Sequence, residues 1–208
     1  MCINIMENIR FYNTRFLSLI YEEYEFVSKK IDKIQETFSF FKTVSVYYYE
    51  TLEEMQKKIP IKLPDWIKGL STADEIHILN PSEWKGFVEK EDSLAKIFVH
   101  EYVHVAIFNS FHSQCPCWLN EGLAQIISEQ FKKQKSRIAL IPYDYYKKGY
   151  DDDEFYYQSA LVTFLLIEEV GIDNLLKHCM KCYDFENDEV VGTGALQKKI
   201  CLYLEKLE

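Results

Sequence analysis

The stretch that decides the fold is His100-Glu101-Tyr102-Val103-His104, followed by Trp118-Leu119-Asn120-Glu121-Gly122-Leu123-Ala124. On a helix, residues four apart stand one above the other, so His100 and His104 present two imidazole nitrogens to one point. Glu101 sits beside that point, placed to reach a water held there. A hydrolytic zinc site uses three protein ligands and one open position, and two His with one carboxylate is a common set. The third ligand is expected from a separate helix, and Glu121 is the carboxylate best placed to supply it.

The flanking sequence supports this reading. From Ala95 to Phe111 the helix is apolar nearly all round, with Ile97, Phe98, Val99, Val103, Val105, Ala106, Ile107 and Phe108. Such a helix is buried. Two imidazoles and a carboxylate inside it each cost free energy unless something satisfies them, and a metal ion would do so. The rival reading is a core helix with two hydrogen-bonded histidines. The paired spacing and the downstream Glu favour the metal.

On these residues the sequence resembles the gluzincin metallopeptidases, in the peptidase MA-like group that includes the zinc aminopeptidases. The matching parts are HEYVH at 100–104, WLNEGLA at 118–124, and a Tyr-x-x-Ser stretch at 156–159 leading into an apolar helix. The resemblance implies one zinc ion held by His100, His104 and Glu121, with Glu101 as general base and Tyr156 steadying the oxyanion. It implies a metal that polarises the substrate carbonyl and acidifies its water. It covers about residues 40–205 in order of elements, but only the zinc motifs are specific. His104 and Glu121 are separated by 16 residues, two fewer than in the aminopeptidases. The aminopeptidases' Gly-x-Met-Glu-Asn strand has no counterpart before His100. Peptide hydrolysis is implied; aminopeptidase specificity is not.

A chain of 208 residues, 48% hydrophobic and 27% charged, suits one globular domain with a small helical lobe. The net charge of -9 argues against nucleic acid, whose phosphates need Lys and Arg fields, and against an anionic membrane surface. The start, MCINIMENIRFYN, has no basic segment followed by an apolar core, and no run approaches the ~20 residues of a membrane span. A cytoplasmic protein, or one whose leader was removed, is expected.

Cysteines stand at 2, 115, 117, 179, 182 and 201. Without an export signal, free packing thiols are expected rather than disulfides. The CPC at 115–117 and the CxxC at 179–182 would make a structural zinc knot only if they met in space.

Phe16, Leu19, Ile20, Val27, Ile31, Ile34 and Phe38 recur every three or four residues and predict one long amphipathic helix from about Arg10 to Thr37. Thr43 to Tyr49 reads as a strand whose three tyrosines are strand faces. Thr51 opens a short capped helix ending near Ile59-Pro60, and a loop with Pro60, Pro64 and Gly69 follows. Glu75 to Leu79 alternates and stops at Asn80-Pro81. In the resembling family such a strand borders the cleft, where its free edge can pair with a substrate backbone. His77 and Asn80 could then face substrate, but a surface role for His77 is the simpler expectation.

Glu91-Asp92-Ser93 should start the first metal helix, and Pro116 suits the first turn of the second. His112 lies eight past His104 and is a poor ligand candidate. Residues 132–154 read as a polar flap, whose run Asp151-Asp152-Asp153-Glu154 starts the next helix rather than a calcium loop. Phe155 to Val170 is a helix ended by Gly171. Tyr156 lies in its first turn, with Tyr157, Tyr143, Tyr145 and Tyr146 as alternatives. Helices over about 172–183 and 194–207 close the chain.

The expected architecture is α+β and gluzincin/thermolysin-like. Residues 1–40 form an N-terminal helix packed on a 41–208 zinc peptidase-like domain. Within it, 41–135 carry a small sheet with the active-site helices, and 150–208 form a helical C-terminal part. The expected activity is zinc-dependent peptide hydrolysis on a peptide or protein substrate. A silent metal-binding or partner-binding module of the same fold, or a zinc hydrolase of a non-peptide bond, are the alternatives.

Overall fold

The computed structural model describes residues 8–85, 92–112, 115–132, 153–192, 194–196 and 198–199. It is α+β and divides into two compact units, 1–109 and 110–208. No helix among the described residues is long and apolar enough to cross a membrane.

The first unit is built on a mixed four-stranded sheet. Its strands are β1 (Ile9–Phe11), β2 (Val44–Tyr49), β3 (Gly69–Ser71) and β4 (Glu75–Leu79), in the order β1-β2-β4-β3. β1 and β4 both run parallel to β2, and β3 closes the sheet antiparallel to β4. Registered pairs Val46–Ile76 and Tyr48–Ile78 put branched and aromatic side chains on one face. The expected strand at 75–79 is therefore present, but it is interior. Its two edges are taken by β2 and β3, and among the described residues the outer strand on that side is β3.

The long N-terminal helix is not continuous. Residues 9–11 pair in the sheet as β1, and Asn13 caps a short α1 (Thr14–Leu19) by accepting from the Arg15 N–H at 2.9 Å. A single 3-10 turn at Tyr21–Glu23 then leads to α2 (Tyr24–Phe38). The apolar period runs through this break because Phe16, Ile20, Val27, Ile31, Ile34 and Phe38 all still face the core. Periodicity reports which face is buried, not whether the backbone is continuous. α2 ends at Ser39, in the left-handed region at φ 50.

α3 (Leu52–Lys58) starts as expected, with the Thr51 hydroxyl accepting from the Glu54 N–H at 3.2 Å. It covers a small core of Tyr49, Met55, Ile59, Leu63, Ile67 and Leu79.

The central element of this unit is α4 (Leu94–Ser110). Ile97, Phe98, Val99, Tyr102, Val103, Val105, Ala106 and Ile107 are all buried. Phe108, expected within the same apolar surround, is 70% exposed. Phe98 packs edge-on against Phe16 at 5.5 Å and lies 5.9 Å from Phe11. The Tyr102 hydroxyl accepts from Gln35 Nε2 at 3.0 Å, tying α4 to α2. Near the C-terminal end, Asn109 Nδ2 donates to the Ala73 carbonyl at 2.6 Å and Lys42 Nζ donates to Asn109 Oδ1 at 2.8 Å. The histidine helix is thus fixed along its length to α2, the sheet and the β3–β4 turn.

The described elements of the second unit are helices. α5 (Cys117–Ile127) follows Pro116, which is the N-cap rather than the first helical residue. α6 (Asp153–Val170) ends at Gly171, whose φ of 79 suits glycine, and α7 (Ile172–Lys181) follows directly. The helix expected over 194–207 falls largely outside the described residues, as does most of the 132–154 flap.

Candidate metal centre

The unit 1–109 supplies the imidazole pair. α4 places His100 and His104 on one face, half-buried, with ring centroids 4.6 Å apart and planes at 83°. Their Nε2 atoms stand 3.0 Å apart. Two nitrogens bound to a tetrahedral zinc at about 2.0–2.1 Å would stand roughly 3.3 Å apart. The pair therefore has close to the span a shared ion requires, and the helix's 3.6-residue turn creates it without any loop.

Glu101 follows His100 and is buried, at 7% exposure. The backbone of β3 lies against it. A Cβ placed on Gly69 would come 2.7 Å from Glu101 Oε1 and 2.8 Å from its Cγ. Only a residue without a side chain allows the strand to approach this closely. Gly69 is registered with Ile78, so the face that meets Glu101 is the one carrying Ile76 and Ile78. Gly69 belongs to a loop in the sequence reading, and nothing in the run Lys68-Gly69-Leu70-Ser71 distinguishes it. The signal exists only once the strand is paired.

His77 is a core residue, correcting its expected surface role. It is 4% exposed and stacked between Tyr47 at 5.1 Å and Tyr49 at 5.8 Å. The Tyr49 hydroxyl is hydrogen-bonded to His77 Nδ1 at 2.8 Å, and Glu75 Oε2 lies 3.3 Å from Nε2. Burial lowers the pKa of His77, against the opposing pull of Glu75 and, further off, Glu101. Asn80 is likewise structural: its Nδ2 donates to Glu50 Oε2 at 2.8 Å and its Oδ1 accepts from the Ser82 N–H at 3.1 Å.

The unit 110–208 carries the other two expected site residues. Glu121 lies on α5 and is buried at 4% exposure. Its neighbour Gly122 sits hard against α6, where a Cβ would come 2.0 Å from Thr163 Oγ1 and 2.4 Å from the Ser159 carbonyl. Tyr156 is half-buried in the first turns of α6, and its carbonyl accepts from Gln125 Nε2 of α5 at 2.8 Å. Tyr157, the nearest alternative, is buried and packs on Phe131 at 5.7 Å, so it is committed to the core. Tyr143, Tyr145 and Tyr146 lie outside the described residues.

His112 stacks on Tyr183 at 5.0 Å and 5°. Compared with family models, characterised proteins and solved structures, the chain matches none of them.

Proposed function

We propose that this chain is a zinc-dependent metallopeptidase of the gluzincin type, with one ion held by His100, His104 and Glu121. The observation that carries the reading is the His100–His104 pair, whose Nε2 atoms converge to 3.0 Å, with the buried Glu101 directly after His100. A second support is the chemistry of the donors: two imidazoles and one carboxylate are a set that zinc takes in hydrolytic sites. Two neutral imidazoles and one carboxylate leave zinc with a net charge of +1 and an open position.

Bound there, zinc would supply a Lewis acid toward the scissile carbonyl and the attacking water. The remaining steps fall to the chain's own residues. Glu101 accepts a proton from the attacking water and passes it to the leaving amine nitrogen. Its burial beneath β3 restricts the carboxylate to few positions, which favours transfer. Tyr156 offers a phenol O–H to the oxygen of the tetrahedral carbon, a donor of the kind that contributes about 3 kcal/mol elsewhere. An extended peptide would pair with β3, the outer strand of the sheet among the described residues, which passes Glu101 at Gly69.

The experiment uses purified full-length chain and a denatured-protein or peptide-library substrate. Wild type should cleave, lose activity to a chelator and regain it with Zn2+. Glu101→Gln should keep the metal and lose hydrolysis. Retained activity in Glu101→Gln would remove Glu101 as the base. Metal binding with no cleavage by either form would favour a binding module, and turnover of an ester or amide without peptide cleavage a non-peptide hydrolase.

A further inference from the structure

Within the unit 1–109, a row of aromatic rings crosses the sheet on the face opposite to Ile76 and Ile78. Tyr12 continues β1 by donating its N–H to the Val46 carbonyl at 3.0 Å, and its ring stacks on Tyr47 of β2 at 4.7 Å and 7°. Tyr47 stacks on His77, its registered neighbour on β4, at 5.1 Å and 12°. Tyr49 stacks on the same imidazole at 5.8 Å and 19°. The row runs from surface to core: Tyr12 is 60% exposed, Tyr47 is half-buried, and His77 and Tyr49 are buried.

The buried end carries a chain of groups that can pass a proton. The Tyr49 hydroxyl meets His77 Nδ1 at 2.8 Å, and Glu75 Oε2 lies 3.3 Å from His77 Nε2. A carboxylate beside Nε2 favours the proton there, which leaves Nδ1 as the acceptor and the phenol as the donor. The Tyr102 hydroxyl differs, since it accepts from the Gln35 amide, which takes no proton. Tyr49 thus has a base at hydrogen-bond distance, within an apolar surround of Met55, Ile59, Leu63, Ile67 and Leu79.

We propose that Tyr49 is a redox-active tyrosine, giving up one electron across Tyr47 and Tyr12 while its phenolic proton passes to His77. The oxidant is a one-electron acceptor that meets the exposed Tyr12 ring. A peroxyl radical is one such species: it takes the electron and a solvent proton and becomes a hydroperoxide. As Tyr49 is oxidised its O–H bond breaks and an N–H bond forms at His77 Nδ1, so a neutral phenoxyl and an imidazolium result. The Glu75 carboxylate opposes the new positive charge. Along the stack no other bond is made or broken, and each step between ring centres is under 6 Å. An oxidising equivalent that reaches the surface is thereby drawn to one fixed, apolar place. The device uses none of His100, Glu101, His104 and Glu121, so it stands or falls apart from the hydrolase reading.

The test uses the full-length chain and photogenerated tris(bipyridine)ruthenium(III), which returns to ruthenium(II) on accepting the electron. Transient absorption follows the phenoxyl, and high-field EPR reads its g-tensor, which narrows when a hydrogen-bond donor faces the phenoxyl oxygen. Wild type should give a phenoxyl with the hydrogen-bonded g-tensor, formed more slowly in D2O. Tyr49→Phe keeps the ring and should lose that species. His77→Phe keeps the stack without the base and should slow formation about 10²-fold, the low end of what a positioned base contributes. Tyr12→Leu should slow formation and leave the g-tensor unchanged. A wild-type radical without the hydrogen-bonded g-tensor overturns the proposal, and this outcome needs no variant to fold. So does a signal that survives in Tyr49→Phe, which would place it on another of the chain's 15 tyrosines. An indolyl spectrum, which would place the radical on a tryptophan, overturns it too, as does formation at the wild-type rate in His77→Phe or Tyr12→Leu.

Discussion

Gly69 and Glu101 are in direct apposition: the strand backbone at Gly69 leaves no room for a Cβ, which would stand 2.7 Å from Glu101 Oε1. Gly69→Ala therefore tests Glu101 as the proposed base without touching its chemistry. The φ of Gly69 is one that alanine adopts, so the variant is not strained in its own backbone. The added methyl must push the carboxylate aside. Peptide hydrolysis should fall by about tenfold or more, bounded above by the 10²–10⁴ that general-base catalysis contributes. Metal content and the urea midpoint should change little. Full activity in Gly69→Ala would mean that the position of Glu101 does not matter.

His77 gives the first unit a pH dependence. Its folded pKa is lowered below the ordinary 6.5, chiefly by burial, so the unfolded chain binds the proton more readily. Stability linked to His77 is thus present above about pH 6.5 and is lost as the pH falls below it, with a slope of at most about 1.4 kcal/mol per pH unit. The groups facing it are Tyr47, Tyr49 and Glu75, with Glu101 further off; the two carboxylates moderate the effect without reversing it. His77→Phe keeps the ring stack and removes the titration. Urea midpoints at pH 7.5 and 5.5 should differ less in the variant than in wild type. Parallel losses would locate the acid sensitivity elsewhere.

What the sequence could reveal depended on whether the signal was local. The His100–His104 pair follows from one helical turn, and α3, α5 and β4 from caps, a proline and alternation, so these were legible. β1 and β3, three residues each, were not. They are held by register with β2 and β4 rather than by any pattern of their own. The same limit hid Gly69, whose role exists only against a side chain distant in sequence, and the environment of His77, which two tyrosines of a neighbouring strand create. The α1–α2 break was obscured because the buried stripe continues across it.

The ion pair between Lys68 Nζ and Asp92 Oδ2, at 2.5 Å, joins the start of β3 to the residues that precede α4. Asp92 is 8% exposed at its side chain and Lys68 19%, and the ammonium also lies 5.7 Å from the Trp84 ring centre. Asp92→Asn leaves a largely buried ammonium without its carboxylate. Removing one partner of a fully buried pair costs about 3–5 kcal/mol; partial exposure of Lys68 brings the expectation to about 1–3 kcal/mol. Equilibrium urea unfolding measures it. A loss that vanishes in high salt would show that the pair is screened and contributes little.

Gly122 sets how closely α5 approaches α6, and Glu121 is its neighbour. A methyl at 122 would meet the Ser159 carbonyl at 2.4 Å and Thr163 Oγ1 at 2.0 Å. The hydroxyl can rotate, but a helical carbonyl cannot move without its helix, so Gly122→Ala must separate the two elements. Overpacking of this kind costs roughly 1–3 kcal/mol or more, against which alanine's better helix propensity returns about 1 kcal/mol. The net result should be destabilisation of the unit 110–208, read as faster proteolysis there and a lower Tm. Thr163→Ser/Gly122→Ala should recover little, because the carbonyl contact remains. On the proposed ligand set the shift also moves Glu121, so zinc affinity should fall in Gly122→Ala. An unaltered Tm with unaltered zinc affinity would show that the helix pair has slack the packing does not reveal.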